Sequence, residues 1–289
     1  MRKEKRNLAI TEIFMILIAV IWFIPIYYLI VTTLKSSQEA TANPLGLPKV
    51  LRLDNYVNAW VNMEFPRAFG NTLFITATAV LLIVIFGSMA GYALARTKSK
   101  MGTRVFLLFL AGLIVPFQMN IVSLYKIVKG FGLMNTLWSV ILVDVAINTP
   151  QAVFLFKEFI ESTIPKELEE AAYVDGCGKV KTFVRIMLPD AKPMITSCFL
   201  FSFVWQWTDS FYSGMFLPNY SILANKVARL SEVLNSYVKA TTGLDKASTA
   251  YASAMIGTGT LLVIIPLIIV YLFAQKGFVE SLSQSGIKM

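Results

Sequence analysis

Long apolar stretches alternate with short polar ones along this chain, and the apolar stretches set its architecture. Runs near residues 11–34, 70–95, 104–125, 136–157, 193–213 and 254–275 are dominated by apolar residues. Each approaches the roughly 20 residues a helix needs to cross a hydrocarbon core. None has the polar face that a buried helix of a soluble protein shows to water. The pattern predicts an all-α membrane protein with six transmembrane helices. The first run is too long for a removed signal peptide and lacks a small-residue cleavage site. The expected division is 1–69 (N-terminal cytoplasmic segment, first transmembrane helix and outer loop), 70–275 (core transmembrane domain) and 276–289 (cytoplasmic C-terminal tail).

Polar and helix-breaking residues refine this frame. After Pro44, Gly46 and Pro48, Asp54-Asn55 predicts a turn or cap opening a short amphipathic helix through Tyr56, Val57 and Trp60. Such aromatics suit a membrane interface. Gly87-Ser88-Met89-Ala90-Gly91 is a GxxxG pattern that lets another helix approach closely, for sliding or for static packing. Pro116 interrupts the third run and Gln118 and Asn120 follow it, which predicts a kinked or partly unwound span. Asp144 and Asn148, four apart, share a helix face. An intramembrane carboxylate is costly and faces a bundle interior or a cavity. Asp144, Asn148, Gln118, Asn120 and Asp209 are therefore the candidate pathway-lining residues, with structural hydrogen bonding the alternative for Asp144. Asp209 lies in WQWTDSF beside Trp205 and Trp207, a sugar platform or an interfacial belt, with the belt favoured.

Between the fourth and fifth runs lies the most distinctive polar segment, 161–189. Pro165 suits the first turn of a helix, and Glu167, Glu169 and Glu170 then sit where the helix dipole favours negative charge. Ala171 and Ala172 keep that helix thin on one side, suited to a groove in another protein. Asp175-Gly176 breaks it. A second helix follows, with Val180, Phe183, Val184, Met187 and Leu188 expected on one face and Lys179, Lys181, Thr182 and Arg185 on the other. That is the design of an interfacial amphipathic helix. Pro189 and Pro193 end it and begin the fifth run.

Composition agrees with a membrane setting: 56% of the 289 residues are hydrophobic and 15% charged, with a mean hydropathy of +0.65. The net charge of +9 is a topology signal and not a nucleic-acid footprint. Of the 26 Lys and Arg, 16 fall in the N-terminus, the 96–104 and 157–192 loops and the tail. By the positive-inside rule this places both termini and the 157–192 loop in the cytoplasm. With no His, the commonest general base and metal ligand are missing. Cys177 and Cys198 lie in an inner loop and a span, which excludes a structural disulfide and a metal cluster. Gly176-Cys177-Gly178-Lys179-Val180 fails as a phosphate loop, because Tyr173 stands where its first Gly belongs and Val180 where Ser or Thr belongs. A membrane enzyme would need a catalytic constellation, and none is present. A secondary transporter would need coupling carboxylates and internal repeats. Only Asp144 and Asp209 qualify as the former, and no repeat is visible.

Residues 170–189 read EAA-x3-G-x9-I-x-LP, which resembles the cytoplasmic signature of ABC importer permeases. LDNY (53–56), Asn71-Thr72, GYALAR (91–96), VPFQ (115–118), LYKI (124–127), GLMNTLWSVIL (132–142), IPKELEEAAYVDG (164–176) and the tail AQKGFVESLSQSGIK extend the likeness to the MalG-like carbohydrate importer family. It runs from residue 10 to the end. The tail's close at Gly286-Ile287-Lys288-Met289 is less glycine-rich than the family pattern. The resemblance implies the type I ABC importer permease fold, with a cytoplasmic coupling helix between spans four and five. It implies a permease subunit for a carbohydrate, an oligosaccharide above all, with no catalytic activity of its own. The implied partners are a second, MalF-like permease subunit, two ABC ATPase subunits that carry ATP and magnesium, and an extracytoplasmic solute-binding protein. The chain itself would hold no cofactor or metal. Glu169, Glu170, Ala171, Ala172, Asp175 and Gly176 would contact the ATPase, and Gln284, Gly286 and Lys288 would contact it through the tail. A polyol-like solute such as glycerol phosphate is the alternative cargo.

Overall fold

The computed structural model describes the backbone of residues 2–242 and 249–286, and the side chains of all of these except 2–9, 117, 118, 237, 241, 242, 249, 250 and 282–286. The described residues form helices joined by turns, with no strand among them. Helix α1 (Arg2–Thr33) carries the first apolar run. α2 (Ser37–Ala42) opens on Ser36, whose hydroxyl accepts from the Glu39 amide at 3.3 Å. In α3 (Asp54–Asn62), Asp54 is the first helical residue and Leu53 precedes it, so no side chain caps the helix. Asn55 serves the preceding helix instead, its side-chain amide donating to the Thr33 and Lys35 carbonyls at 2.8 and 3.1 Å. Those groups lie at the end of α1, where carbonyls lose their helical partners.

α4 (Phe65–Arg96) follows, then α5 (Lys100–Ile114), capped by Ser99. The third apolar run is not one helix. Val115 is extended, a 3-10 turn covers Phe117–Asn120, and α6 (Ile121–Gly130) completes the run. Pro116 is the cause, since proline disfavours helical geometry in the residue before it and donates no hydrogen bond. α7 (Leu137–Thr163) carries the fourth run, with Pro150 inside it. The polar segment folds as α8 (Glu167–Val174), α9 (Lys179–Thr182), a π turn over Phe183–Met187 and α10 (Leu188–Asp190). α11 (Lys192–Thr208), α12 (Phe211–Phe216), α13 (Leu223–Ala228), α14 (Leu230–Thr242) and α15 (Thr249–Gly286) follow.

Among the described residues, four stretches are helices long and apolar enough to cross a membrane: Ile10–Thr33, Phe65–Arg96, Leu137–Thr163 and Tyr251–Ser281. α11 has 17 residues and so reaches only about 25 Å at 1.5 Å per residue.

The contacts divide the chain into two units: Met1–Phe65 with Lys226–Ile265, and Pro66–Asn225 with Pro266–Met289. In the first, Gly259 lies against Met63 and Leu230, and Lys226 Nζ pairs with Glu64 Oε1 at 2.7 Å. In the second, Ile83, Ile141, Phe156 and Phe216 are fully buried. The GxxxG pattern forms a close seam there. Gly87 faces Ala152 and Gly91 faces Phe156, so α4 and α7 meet with almost no space between their backbones.

Candidate functional site

The second unit holds a polar clamp where the C-terminal end of α4 meets α8. Arg96 ends α4, and GYALAR places Tyr92 one turn before it on the same face. Arg96 Nε pairs with Glu169 Oε1, and Tyr92 OH donates to Glu169 Oε2 at 2.9 Å. Arg96 also donates to the Ile164 carbonyl at 2.9 Å and to the Ile160 carbonyl at 3.4 Å. These carbonyls stand at the end of α7, which has no basic residue in its last turn. The guanidinium therefore serves as the missing cap and ties α4, α7 and α8 together. Arg96 and Glu169 side chains are only 14% and 8% exposed.

Within α8 the six expected partner-contact residues separate. Glu170, Ala171, Asp175 and Gly176 are exposed, whereas Glu169 and Ala172 are buried in the chain itself. The resemblance alone puts all six on an outward surface. Glu169 is instead turned inward by Arg96 and Tyr92, and Ala172, three positions on, follows it onto the buried side. α8 starts at Glu167, with Glu167, Glu169 and Glu170 in its first turn, and Pro165 lies ahead of it. The chain leaves α8 through Gly176 at φ +79°, a left-handed conformation that glycine adopts without strain. Beside the clamp a recess of about 430 Å³ is lined by Lys166, Glu170, Tyr173 and Lys179 among others.

The following segment is less regular than a single α-helix. Thr182 and Met187 are buried, while Val180 and Val184 are 78% and 53% exposed. A π turn follows α9: the Leu188 amide bonds to the Phe183 carbonyl, five residues back. That inserts one residue relative to α-helical phase, so a 3.6-residue period cannot describe both sides of it. The Phe183 ring packs on Tyr92 at 5.3 Å, which rests this turn on α4 as well.

The candidate pathway residues are not gathered into one site. Asp144 is fully buried with Gln206 as a polar neighbour, and Asn148 donates its amide to the Asp144 backbone carbonyl at 3.0 Å. Both lie inside the bundle and neither lines a described cavity. Asn120 does border one, a pocket of about 320 Å³ shared by α5, α6 and α7. The side chain of Gln118 is outside the described residues, as are those of Gln284 and Gly286 and all of Lys288. Asp209 is a helix cap: its carboxylate accepts from the amides of Phe211, Tyr212 and Ser213 at 3.1, 3.0 and 2.8 Å. Trp207 is 1% exposed and stacks on Phe203 at 5.3 Å, so it belongs to the core, whereas Trp205 is 40% exposed. Sequence alone does not single out Arg96 and Tyr92 beyond the GYALAR match. The one signal is a charged residue directly ending a long apolar run.

Residues 5–283 match the family described as binding-protein-dependent transport system inner membrane component. The chain belongs to this family. The permease is 31% identical over 283 residues to the melibiose/raffinose/stachyose import permease protein MelC of Bacillus subtilis, covering 98% of each chain. It is 30% identical over 275 residues to AmyC of Thermoanaerobacterium thermosulfurigenes, a probable starch degradation products transport permease, covering 94% of each. It is 30% identical over 289 residues to the diacetylchitobiose uptake permease NgcG of Streptomyces coelicolor, covering 97% of this chain and 89% of that one. Among solved structures, a chain of a bacterial ABC transporter involved in the import of alginate, an acidic polysaccharide, superposes with a TM-score of 0.79 at 20% identity. The superposition covers 96% of the permease and 98% of that chain, and shows a shared fold. The permease is thus a membrane protein of the MalG-like carbohydrate importer type.

Proposed function

We propose that this chain is one permease subunit of an ATP-driven oligosaccharide importer, and that α8 is its coupling helix. In this reading it pairs with a second, MalF-like permease subunit, takes sugar from an extracytoplasmic binding protein, and rests on two ATPase subunits that bind ATP and magnesium. Six spans cross the membrane: the four long apolar helices, the broken α5–α6 pair, and α11 with its continuation into α12. Both termini and α8 then lie in the cytoplasm, where the positive-inside rule puts the basic loops.

The observation that carries the reading is the exposed acidic ridge of α8. Glu170, Ala171, Asp175 and Gly176 stay at the surface while the inner face of the same helix is bolted to α4. A carboxylate on a thin, anchored helix suits a basic groove on a soluble partner. The C-terminal tail, with Gln284, Gly286 and Lys288, is a second contact with the ATPases. The sugar-import names of the relatives support a carbohydrate cargo over a polyol phosphate.

The test is uptake by the reconstituted complex of radiolabelled raffinose, maltotriose, diacetylchitobiose and arabinotriose, with glycerol 3-phosphate as the competing cargo. Transport of at least one of the sugars is expected, and Glu170→Lys abolishes it while leaving membrane insertion intact. Normal uptake by Glu170→Lys would remove the coupling role, and uptake of glycerol 3-phosphate alone would remove the carbohydrate assignment. Purified without partners, the chain hydrolyses no ATP.

A further inference from the structure

We infer that Arg96 is the positioning residue through which displacement of α8 reaches the membrane helices, acting by way of its buried ion pair with Glu169. This rests on the reading of α8 as the coupling helix and adds the route by which its motion travels.

Two routes lead from α8 into the bundle. The covalent one runs forward through Gly176 at φ +79°, Gly178, the single turn of α9 and the π turn before α11 begins. A chain of that kind bends at each joint, because two glycines and a change of helical phase interrupt it. Backward, the chain passes from α8 through the non-helical Ile164-Pro165 to α7. The non-covalent route is stiffer. Glu169 projects from α8 into a pair of donors on α4, the Arg96 guanidinium and the Tyr92 hydroxyl. The remaining guanidinium nitrogens reach the Ile160 and Ile164 carbonyls of α7 and its end. A planar group held on several sides cannot rotate to absorb a displacement as a single-contact lysine would.

Beyond the clamp, α4 and α7 are locked together at Gly87–Ala152 and Gly91–Phe156. A push on α8 therefore moves α4 and α7 as one body. Burial keeps the pair strong, since screening by salt and water falls away from a desolvated contact. The exposed Glu170 is not among the partners of Arg96 or Tyr92, whereas Glu169 engages both.

The experiment uses the complete transporter in proteoliposomes, read as panel sugar moved per ATP hydrolysed. Arg96→Gln and Glu169→Gln are expected to assemble and to hydrolyse ATP, while sugar per ATP falls about tenfold, the scale of a lost coupling interaction. Tyr92→Phe removes one hydrogen bond and keeps both charges, so about a threefold fall is expected. Arg96→Gln/Glu169→Gln should be no worse than either single change, because each already removes the shared contact. Wild-type sugar per ATP in Arg96→Gln overturns the proposal. So does loss of assembly in Arg96→Gln together with normal coupling in Tyr92→Phe, which makes the pair structural only. Glu170→Lys separates the two levels: if it blocks uptake while Arg96→Gln transports normally, α8 remains the coupling helix and only this route fails. If Glu170→Lys transports normally, the coupling reading itself fails.

Discussion

Gly91 lies against Phe156 so closely that a Cβ on the glycine would come within 2.6 Å of the phenylalanine Cβ and 3.0 Å of the Lys157 backbone nitrogen. Backbone cannot swing aside as the end of a flexible side chain can. The α4–α7 seam therefore tolerates no side chain at this position, and the clamp one turn further along depends on that seam for its footing.

Gly91→Leu is expected to separate the two helices and to destabilise the subunit by about 1–3 kcal/mol, the usual cost of overpacking a filled interface. Gly70→Ala, at a site with open space around it, is the control and should change little. Thermal unfolding of the purified complex in detergent compares them.

Adjacent glutamates should behave oppositely. Glu169→Ala leaves Arg96 buried without its partner and costs about 3–5 kcal/mol, as broken buried pairs do. Glu170→Ala, at the surface, should stay within about 0.5 kcal/mol of wild type yet weaken assembly with the ATPase. Unfolding midpoints together with co-purification of the ATPase distinguish them.

Asp209 caps the start of α12, which predicts a structural part for it. Asp209→Ala should lower stability by about 0.5–2 kcal/mol, while Asp209→Asn, itself a good cap, recovers most of it. The sugar concentration for half-maximal uptake should be the same in both variants and wild type. A large shift in that concentration with unchanged stability would contradict the assignment.

Two glycines close together make a further contrast. Gly176→Val forces a branched side chain into φ +79° and should cost at least about 1–2 kcal/mol, with uptake lost. Gly178→Ala, at φ −78°, should retain both stability and uptake. Uptake normalised to folded protein in the membrane measures the difference.

The parts of this fold that are legible in the sequence are those set by local pattern. Apolar length marks α1, α4, α7 and α15, Pro116 marks the break in the third run, and GSMAG marks the close seam of α4. The inward turn of Glu169 is not legible. Neighbouring positions on a helix point about 100° apart, and which of Glu169 and Glu170 faces in depends on Arg96, 73 residues away. A constant helical period also does not anticipate the π turn, or that Thr182 and Met187, five residues apart, are both buried. The cap at Asp209 is legible after all: an Asp directly before Ser-Phe-Tyr-Ser at the start of a short helix is a local capping signal. Trp205 and Trp207 beside it invite a ligand reading that hides this simpler one.

The π turn at Phe183–Met187 makes chain length itself a constraint. Removing one of those five residues would let the segment relax into ordinary α-helix, and unless it is Arg185 no charge changes. The π turn takes up its extra residue locally, whereas a residue added or removed in the α-helical turns on either side would rotate everything on the α8 side by about 100° relative to α11. Substitutions on the surface of this loop can be absorbed one by one, but an insertion or deletion in those turns re-aims a whole docking surface. The segment should accordingly drift in composition while holding its residue count constant.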